Sequence, residues 1–313
     1  MLGLAQIWSE REEPDSALVY YRQAVDLNYY NTELRRRFFY YLLQQGLAEE
    51  ALAEARQILK LSPDEPDVLY RIAILEYDAD QLDSAEAHLT DWITRFGDDA
   101  LGRFLLGRIA QERGDTATAE AQYLQSIHLA DSLVEGYLAL GFLYNQQGMH
   151  DSAVSLYGTA LNHQPDHAGL LFGLGAALEQ GDHFDQAVTT FERLIALEPE
   201  HAPALNYLGY MWADRGLRLG EALDLIKRAV DIQPDNGAYL DSYAWVLYKL
   251  GRARDAERQI REALNYIDED AVVFEHYGDI LADLGRRDEA QEHWQRALEL
   301  DPDNETLREK LER

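Results

Sequence analysis

The chain has 313 residues and no cysteine, so disulfide bonds and thiolate chemistry are excluded. Aspartate and glutamate total 57 against 28 lysine and arginine residues, and the net charge of −29 should repel nucleic acids and anionic membrane surfaces. No stretch is apolar over a length that could cross a membrane, so direct membrane insertion is not expected. Such an acidic chain is also typical of adaptation to salt, an alternative that the sequence leaves open.

A period of 34 residues organises the chain. Prolines that can end a helix recur on it, with one inserted residue before the last two, at Pro63, Pro165, Pro199, Pro234 and Pro302. Alanine recurs in one register, at Ala17, Ala51, Ala85, Ala119, Ala153, Ala187, Ala222, Ala256 and Ala290. A small residue recurs before it, at Ala5, Ala73, Gly107, Gly141, Gly175, Gly209, Ala244 and Gly278. Each period therefore predicts a hairpin of two helices that cross closely at the small residues.

In chain order, the period predicts one domain over residues 1–313, a single solenoid of stacked hairpins. Its units are a truncated first repeat (1–31), then 32–65, 66–99, 100–133, 134–167, 168–201, 202–236, 237–270 and 271–304, and a cap (305–313). Counted back from Ala5, the first helix lacks its opening residues. We therefore expect the chain to be a piece of a longer protein, with a first repeat that has no polar cap.

The second repeat departs from this pattern. Phe39 occupies the small-residue position, and Ala55 occupies a position that usually holds a large aromatic side chain. Because the swap conserves volume, we expect Phe39 to fill the space that Ala55 leaves. Arg35, near the start of the same helix, is expected to be solvated. The repeat 202–236 departs from the pattern in another way, because its turn 215–220 contains one extra residue.

The stretch from Ala168 to His201 carries the pattern most fully. Leu174 and Gly175 stand in its first helix, Ala187 and Phe191 in its second, and Pro199 closes it. In this order they resemble the tetratricopeptide repeat, W-x2-L-G-x2-Y, then A-x3-F, then P. The resemblance covers essentially the whole chain. It implies an all-α fold, a right-handed α–α superhelix of about nine helical hairpins plus a C-terminal capping helix.

The resemblance also implies a binding surface. In this family, the first helix of each repeat lines a concave groove that takes a protein or peptide partner. The fifth, ninth and twelfth positions of these helices supply the candidate partner-binding residues, namely Arg36, Tyr40, Tyr70, Tyr77, Phe104, Arg108, Phe142, Phe172, Tyr210, Asp241, Trp245, Tyr248 and Asp279. Aromatic side chains of this kind are favoured at binding surfaces. The alternative is that they pack on adjacent first helices.

The charges of this predicted groove are unevenly distributed. Arginines, such as Arg36 and Arg108, lie in its N-terminal half, and carboxylates, such as Asp241 and Asp279, lie in its C-terminal half. This arrangement predicts a partner with acidic groups at one end and basic groups at the other. The alternative is that the arginines only form local ion pairs with the acidic chain.

The sequence carries none of the catalytic motifs G-x-x-x-x-G-K-[ST], G-x-S-x-G and H-E-x-x-H. His163, His167, His183 and His201 fall in or near neighbouring turns but lack the spacing of a metal-ligand pair. We therefore expect no metal, no cofactor and no enzymatic activity, and we favour a protein-interaction scaffold or adaptor. The alternative is the substrate-recognition arm of an enzyme whose catalytic domain lies outside this chain.

Residues 206–251 carry a narrower resemblance. Leu208-Gly209-Tyr210, Ala213-Asp214-Arg215 and Leu240-Asp241-Ser242 are similar to the C-terminal repeats of bacterial tetratricopeptide lipoproteins and secreted proteins. Some of these recruit a processing protease and its substrates at the outer membrane. The resemblance implies a bacterial envelope adaptor with an anchor outside this chain, while a cytoplasmic location stays open. Self-association through the uncapped first repeat is a further hypothesis.

Overall fold

The computed structural model describes residues 1–312, and over that range it contains nineteen α-helices and no β-strand. The predicted all-α class is confirmed. The chain divides into two compact units, Met1–Leu143 and a second that begins at Tyr144. Each unit is a stack of helical hairpins. The organisation of residues 1–313 as a single solenoid domain stays a prediction.

The first unit is built from the helices α1 (Leu2–Glu10), α2 (Pro14–Leu27), α3 (Thr32–Gln44), α4 (Ala48–Leu61), α5 (Pro66–Asp78), α6 (Leu82–Phe96), α7 (Ala100–Glu112), α8 (Thr116–Leu129) and most of α9 (Val134–Gln146). Helix α1 pairs with α2, α3 with α4, α5 with α6, and α7 with α8. Successive hairpins touch through α2 and α3, α4 and α5, and α6 and α7. Odd-numbered helices are therefore the first helices of the predicted repeats.

The second unit contains the helices α10 (His150–His163), α11 (Ala168–Gln180), α12 (Phe184–Leu197), α13 (Ala202–Asp214), α14 (Leu219–Ile232), α15 (Gly237–Lys249), α16 (Ala253–Ala263), α17 (Ala271–Asp283), α18 (Arg287–Leu300) and α19 (Glu305–Glu312). The pairs α11 with α12, α13 with α14, α15 with α16, and α17 with α18 form its hairpins. First helices also touch one another, α13 with α15 and α15 with α17. Helix α19 packs on α18, as a terminal cap should.

The alanine register marks the inside of every hairpin. All nine of its alanines have 0% of their surface exposed. Opposite them, glycines of the first helices admit large side chains of the second. A Cβ atom at Gly278 would lie 2.3 Å from the indole of Trp294, and one at Gly175 would lie 2.7 Å from the ring of Phe191. Only glycine leaves room for these rings, which is why the small residue recurs.

The second hairpin reverses this arrangement. Phe39 on α3 and Ala55 on α4 are both 0% exposed and belong to the same apolar core as Ala51. In this hairpin the large side chain lies on the first helix and the small one on the second, opposite to the other hairpins described above. The predicted exchange of volume is thus consistent with the packing.

The starts of two second helices, α2 and α14, have distinct local structures. Pro14 stands at the first position of α2, where its missing N–H costs no helical hydrogen bond. The inserted residue lies between α13 and α14, where Arg218 takes a left-handed conformation with φ 44°. Its guanidinium lies 3.9 Å over the ring of Trp212 and 2.9 Å from Glu192. These contacts hold an otherwise strained backbone in place.

The expectation that Arg35 is solvated is wrong. Arg35 is 3% exposed, and its Nε donates a 2.8 Å hydrogen bond to the carbonyl oxygen of Tyr29. Its Nη1 lies 2.7 Å from Glu54, and its guanidinium stacks over the Tyr29 ring at 4.6 Å. A guanidinium can be buried when its donors find partners, as they do here.

Candidate functional site

The predicted groove residues all lie on first helices, the odd-numbered helices of the two units. Those of the first unit lie on α3, α5, α7 and α9, and those of the second on α11, α13, α15 and α17. Their exposure differs widely. Phe142 has 52% of its surface exposed, whereas Asp241 and Trp245 have only 6% and 7%. The predicted residues therefore all lie on first helices, but some of them are exposed to solvent and others are buried.

The arginines of the first unit are engaged with local partners. Arg36 bonds Glu33 and lies 3.1 Å from Glu65. Arg108 lies 3.7 Å from Glu112 and 5.7 Å over the ring of Tyr77. These contacts match the alternative in which the arginines pair within the acidic chain. Partly exposed pairs of this kind contribute little to stability but leave little free positive charge.

The aromatic side chains of the first unit pack partly against second helices. The ring of Tyr70 lies 5.1 Å from that of Trp92, and the ring of Phe104 lies 6.0 Å from that of Tyr123. Tyr40 and Tyr77 are half-buried. Burial, and then a hydrogen bond with Glu112, raise the pKa of Tyr77 to about 12. These rings are therefore partly covered by their neighbours.

In the second unit, Asp241 and Trp245 form the centre of a buried polar cluster. Nδ1 of His276 lies 2.9 and 3.1 Å from the two carboxylate oxygens of Asp241. The imidazole stacks on the indole of Trp245 with ring centroids 3.9 Å apart. The ring of Tyr248 also stacks on the indole, with centroids 5.1 Å apart. The ammonium of Lys249 lies 4.5 Å from the Trp245 ring. Here the predicted groove residues pack on the adjacent first helix.

His276 was not among the predicted site residues. It lies on α17, 35 residues after Asp241, so it is one period and one residue further along the chain. A polar pair at that spacing on neighbouring first helices is a signal that could have found it. The pair, with Trp245 stacked on it, explains why an acidic side chain can be buried at position 241.

A pocket of about 340 Å³ opens between α13, α15 and α17, and Glu179 of α11 contributes to its edge. Tyr210 and Asp214 of α13, Asp241 of α15 and Val272 of α17 line it. Burial first, and then the negative charges of nearby carboxylates that include Asp214 and Asp241, raise the pKa of Tyr210. The volume lies at the lower end of the range for ligand pockets, about 300–1,000 Å³. The pocket therefore combines apolar walls with several carboxylates.

One repeat further, the carboxylates of α17 hold an ammonium group of the chain itself. Nζ of Lys310, on α19, lies 2.7 Å from Glu275 and 2.7 Å from Asp279. The same ammonium lies 6.0 Å over the ring of Trp294, whose Nε1 donates a 3.0 Å hydrogen bond to Asp279. Asp279, a predicted groove residue, is thus part of the contact that fixes the terminal helix.

The histidines near neighbouring turns act as helix caps or surface groups. Nδ1 of His167 accepts from the backbone N–H of Leu170 at 3.3 Å, and Nδ1 of His201 accepts from that of Ala204 at 3.1 Å. Across residues 1–312, no group of three or more histidine, aspartate or glutamate side chains is placed to hold a metal ion. None of the helices in that range combines the length and apolarity of a membrane span.

Family models described as tetratricopeptide repeat match residues 42–109, 100–125, 176–237 and 271–304. Together these matches cover more than half of the chain. A TPR repeat-containing protein of Pseudomonas aeruginosa is 33% identical over 196 residues, which is 51% of this chain and 33% of that protein. The first curated relatives that the chain matches are longer, and it spans between 33% and 55% of their length.

Two solved structures have the same fold. A tetratricopeptide repeat protein from Parabacteroides merdae matches with a TM-score of 0.64 and 18% identity, over 79% of this chain and 97% of that one. The APC/C hetero-tetramer Cut9–Hcn1 matches with a TM-score of 0.66 and 18% identity, over 97% of this chain and 60% of that one. The helical hairpins, the buried alanine register and these matches agree. The chain belongs to the tetratricopeptide repeat family.

Proposed function

We propose that this chain is a non-catalytic scaffold that binds a segment of a partner protein on its first helices. Tetratricopeptide repeat proteins bind proteins or peptides, and the all-helical repeat fold is the basis of that coarser statement. The observation that carries the proposal is the pocket between α13, α15 and α17, because it offers apolar walls, an aromatic ring and carboxylates on one accessible surface.

The pair that most resembles a catalytic arrangement supports a structural role instead. The contact between Asp241 and His276 is that of a carboxylate that orients a histidine base, yet the two residues are only 6% and 5% exposed. The indole of Trp245 stacks directly on the imidazole. A general base must reach the proton that it abstracts, and a stacked, buried imidazole has no such reach. The pair therefore fits better as a link between α15 and α17.

The proposal is tested by site-specific photo-crosslinking with the full chain. A photoreactive amino acid is placed at Asp214, on the rim of the pocket, and in a matched variant at Asp231, which is exposed on α14. Proteins captured from an extract of the source organism are compared by mass spectrometry. We expect a partner that is enriched by the probe at position 214 and not by the probe at position 231. Equal capture at both positions would contradict binding at this surface.

A narrower form of the proposal is a bacterial envelope adaptor that recruits a protease or its substrates. It is supported by the resemblance of residues 206–251 to bacterial tetratricopeptide lipoproteins and by the relative from Pseudomonas aeruginosa. Fractionation of cells that produce the whole gene product tests it. Recovery in the membrane-free cytoplasmic fraction, with no protease among the crosslinked partners, would contradict it.

The second candidate is the substrate-recognition arm of an enzyme. It is supported by the length of the relatives, of which this chain spans no more than 55% in the first matches. Sequencing of the whole gene tests this candidate, because a catalytic domain in the same reading frame would favour it over a scaffold.

A further inference from the structure

We infer that the pocket between α13, α15 and α17 receives a basic side chain of the partner segment, an arginine or a lysine with apolar neighbours. The inference rests on the proposed function and names the chemistry of the partner. Three features of the pocket support it, namely its walls, its unpaired acceptors and its aromatic ring. A fourth comes from the way the same surface holds the chain's own lysines.

The walls of the pocket are apolar and partly open to solvent. Met211 and Val273, which line it, are buried, whereas Val272, in the first turn of α17, has 48% of its surface exposed. Ile267 completes the wall, because Gly237 leaves the space that its side chain needs. An exposed valine beside a pocket provides a contact for an apolar residue next to the residue that enters.

The carboxylates of the pocket differ in how far they are already satisfied. Asp270 accepts from the N–H groups that begin α17, and Asp241 is paired with His276. Glu179 has only a 3.7 Å contact with Arg215 and a 3.3 Å hydrogen bond from Tyr207.

Asp214 has the largest unused capacity. Its carboxylate is exposed and has no ion-pair or hydrogen-bond partner within residues 1–312. Nearby, Oδ1 of Asn206 is buried against the pocket and also has no hydrogen-bond partner in that range. Both groups accept hydrogen bonds and neither donates through those oxygens. A ligand that satisfies them must be a donor, and the surrounding charge favours a positive one.

Tyr210 gives the pocket an aromatic face. Burial raises the pKa of the Tyr210 phenol most, and the negative charges of Asp214, Asp241, Glu179 and Glu275 raise it further. The ring of Tyr210 therefore lies among carboxylates of α11, α13, α15 and α17. A cation within about 6 Å of an aromatic ring is attracted by its π-electrons, and a desolvated site strengthens the attraction.

The chain's own lysines show the chemistry that this surface selects. Lys310 is held by Glu275 and Asp279 beneath the ring of Trp294, so two carboxylates and an aromatic ring bind one ammonium. Lys249 lies over Trp245 and donates to the carbonyl oxygen of Asp214. The pocket repeats this combination with Asp214, Glu179 and Tyr210. Arg215 also lines the pocket; its guanidinium lies 4.2 Å over the ring of Phe184 and 3.7 Å from Glu179, which leaves Asp214 without a cation.

The test uses the full chain and bead-bound heptapeptide libraries that differ only in a fixed central residue. That residue is arginine, lysine, citrulline or glutamate, and citrulline has the shape of arginine without its charge. Wild-type chain should be retained about fivefold more by the arginine and lysine libraries than by the citrulline library at near-physiological salt. A photoreactive group beside the arginine should label residues of α13, α15 or α17.

Matched variants separate the pocket from the general acidity of the chain. Asp214→Asn should reduce the preference for arginine over citrulline about threefold, and Tyr210→Leu should reduce it at least as far. Asp231→Asn makes the same change of charge at an exposed position on α14 and should leave the preference unchanged. Because Asp214 is exposed, its replacement should not alter the fold, which circular dichroism checks.

Several outcomes would overturn the inference. Equal retention of the arginine and citrulline libraries would overturn it, while binding to both would still support the proposed peptide-binding function. An equal loss in Asp214→Asn and Asp231→Asn would mean that basic peptides are attracted only by the net charge of −29. No retention on any library would also overturn the inference, and the crosslinking comparison would then judge the proposed function separately.

Discussion

The ammonium nitrogen of Lys310 lies 2.7 Å from a carboxylate oxygen of Asp279, and this contact joins the last helix, α19, to α17. Glu275 accepts from the same ammonium at 2.7 Å. Burial alone would lower the pKa of Lys310, but the hydrogen bonds with Asp279 and Glu275 outweigh it and raise the pKa. The charged lysine is therefore the form that holds the cap in place.

Replacing Lys310 should loosen this cap. Lys310→Ala leaves Glu275 and Asp279, whose side chains are 21% and 15% exposed, close together without their cation. We expect a loss of about 1–3 kcal/mol in the free energy of unfolding and faster hydrogen exchange over α19. Lys227→Ala, at an exposed position of α14, is the control and should change stability by less than about 0.5 kcal/mol. Equal effects of the two variants would contradict an anchoring role.

Replacing Phe39 should leave a cavity in the second hairpin. Phe39 is 0% exposed and its partner position, Ala55, is too small to fill the space. Phe39→Ala should cost about 3–5 kcal/mol in urea unfolding. Phe142→Ala removes the same side chain where 52% of it is exposed, and should cost less than about 1 kcal/mol. A cost for Phe39→Ala below about 1 kcal/mol would mean that the core closes around the change.

Two glycine-to-alanine substitutions should have opposite effects. Gly278→Ala would place a methyl group 2.3 Å from the indole of Trp294, so we expect a loss of about 1–3 kcal/mol. Gly158, inside α10, has nothing within 4 Å of the added Cβ atom. Gly158→Ala should therefore raise stability by about 0.5–1 kcal/mol, since alanine restricts the unfolded chain. Thermal unfolding of both variants measures the difference, and a change of the same sign in each would refute the packing argument.

His293 should make the chain less stable as the pH falls. Its ring packs 4.1 Å from that of Tyr277, and burial lowers the pKa of His293 more than the carboxylates of α18 raise it. The unfolded chain, with a histidine pKa of about 6.5, takes up the proton first. Stability from this residue is therefore present at higher pH and is lost as the pH falls through about 6.5 toward the folded-state pKa.

Unfolding by urea between about pH 7.5 and about pH 5.5 measures this loss. Wild type should lose more stability over that interval than His293→Gln, because glutamine has no proton to take up. His163→Gln, at an exposed position near the end of α10, should behave as wild type. The same loss in all three proteins would assign the pH dependence to other groups.

The hairpins could be predicted because their determinants are local and periodic. The alanine register, the glycines opposite large side chains and the exchange of volume at Phe39 and Ala55 all lie within one or two helices. Even the inserted residue near Arg218 was visible as a break in the period. These features depend on which residues repeat, and a single sequence contains that information.

The candidate binding surface could be predicted only in part, because the exposure of a side chain depends on the neighbouring repeat. Trp245 stands at a position that lines a groove in this family, but His276 of the next repeat stacks on it and buries it. Arg36 and Arg108 were expected to offer positive charge, yet each has an acidic neighbour within reach. Val272, which lines the pocket, stands outside the positions that are predicted to line the groove. Such side chains are identified only when several repeats are assembled.

The contact between Asp241 and His276 also affects when the repeat that contains Asp241 can complete its packing during synthesis. The two residues are 35 positions apart and belong to successive repeats. At about 5–20 residues per second, the ribosome completes that interval in roughly two to seven seconds. Until then, Asp241 lies on a nascent chain without its hydrogen-bond partner, the imidazole of His276. The repeat that contains Asp241 can therefore reach its final packing only after the following repeat has been synthesised, so the order of translation becomes the order in which this part of the protein matures.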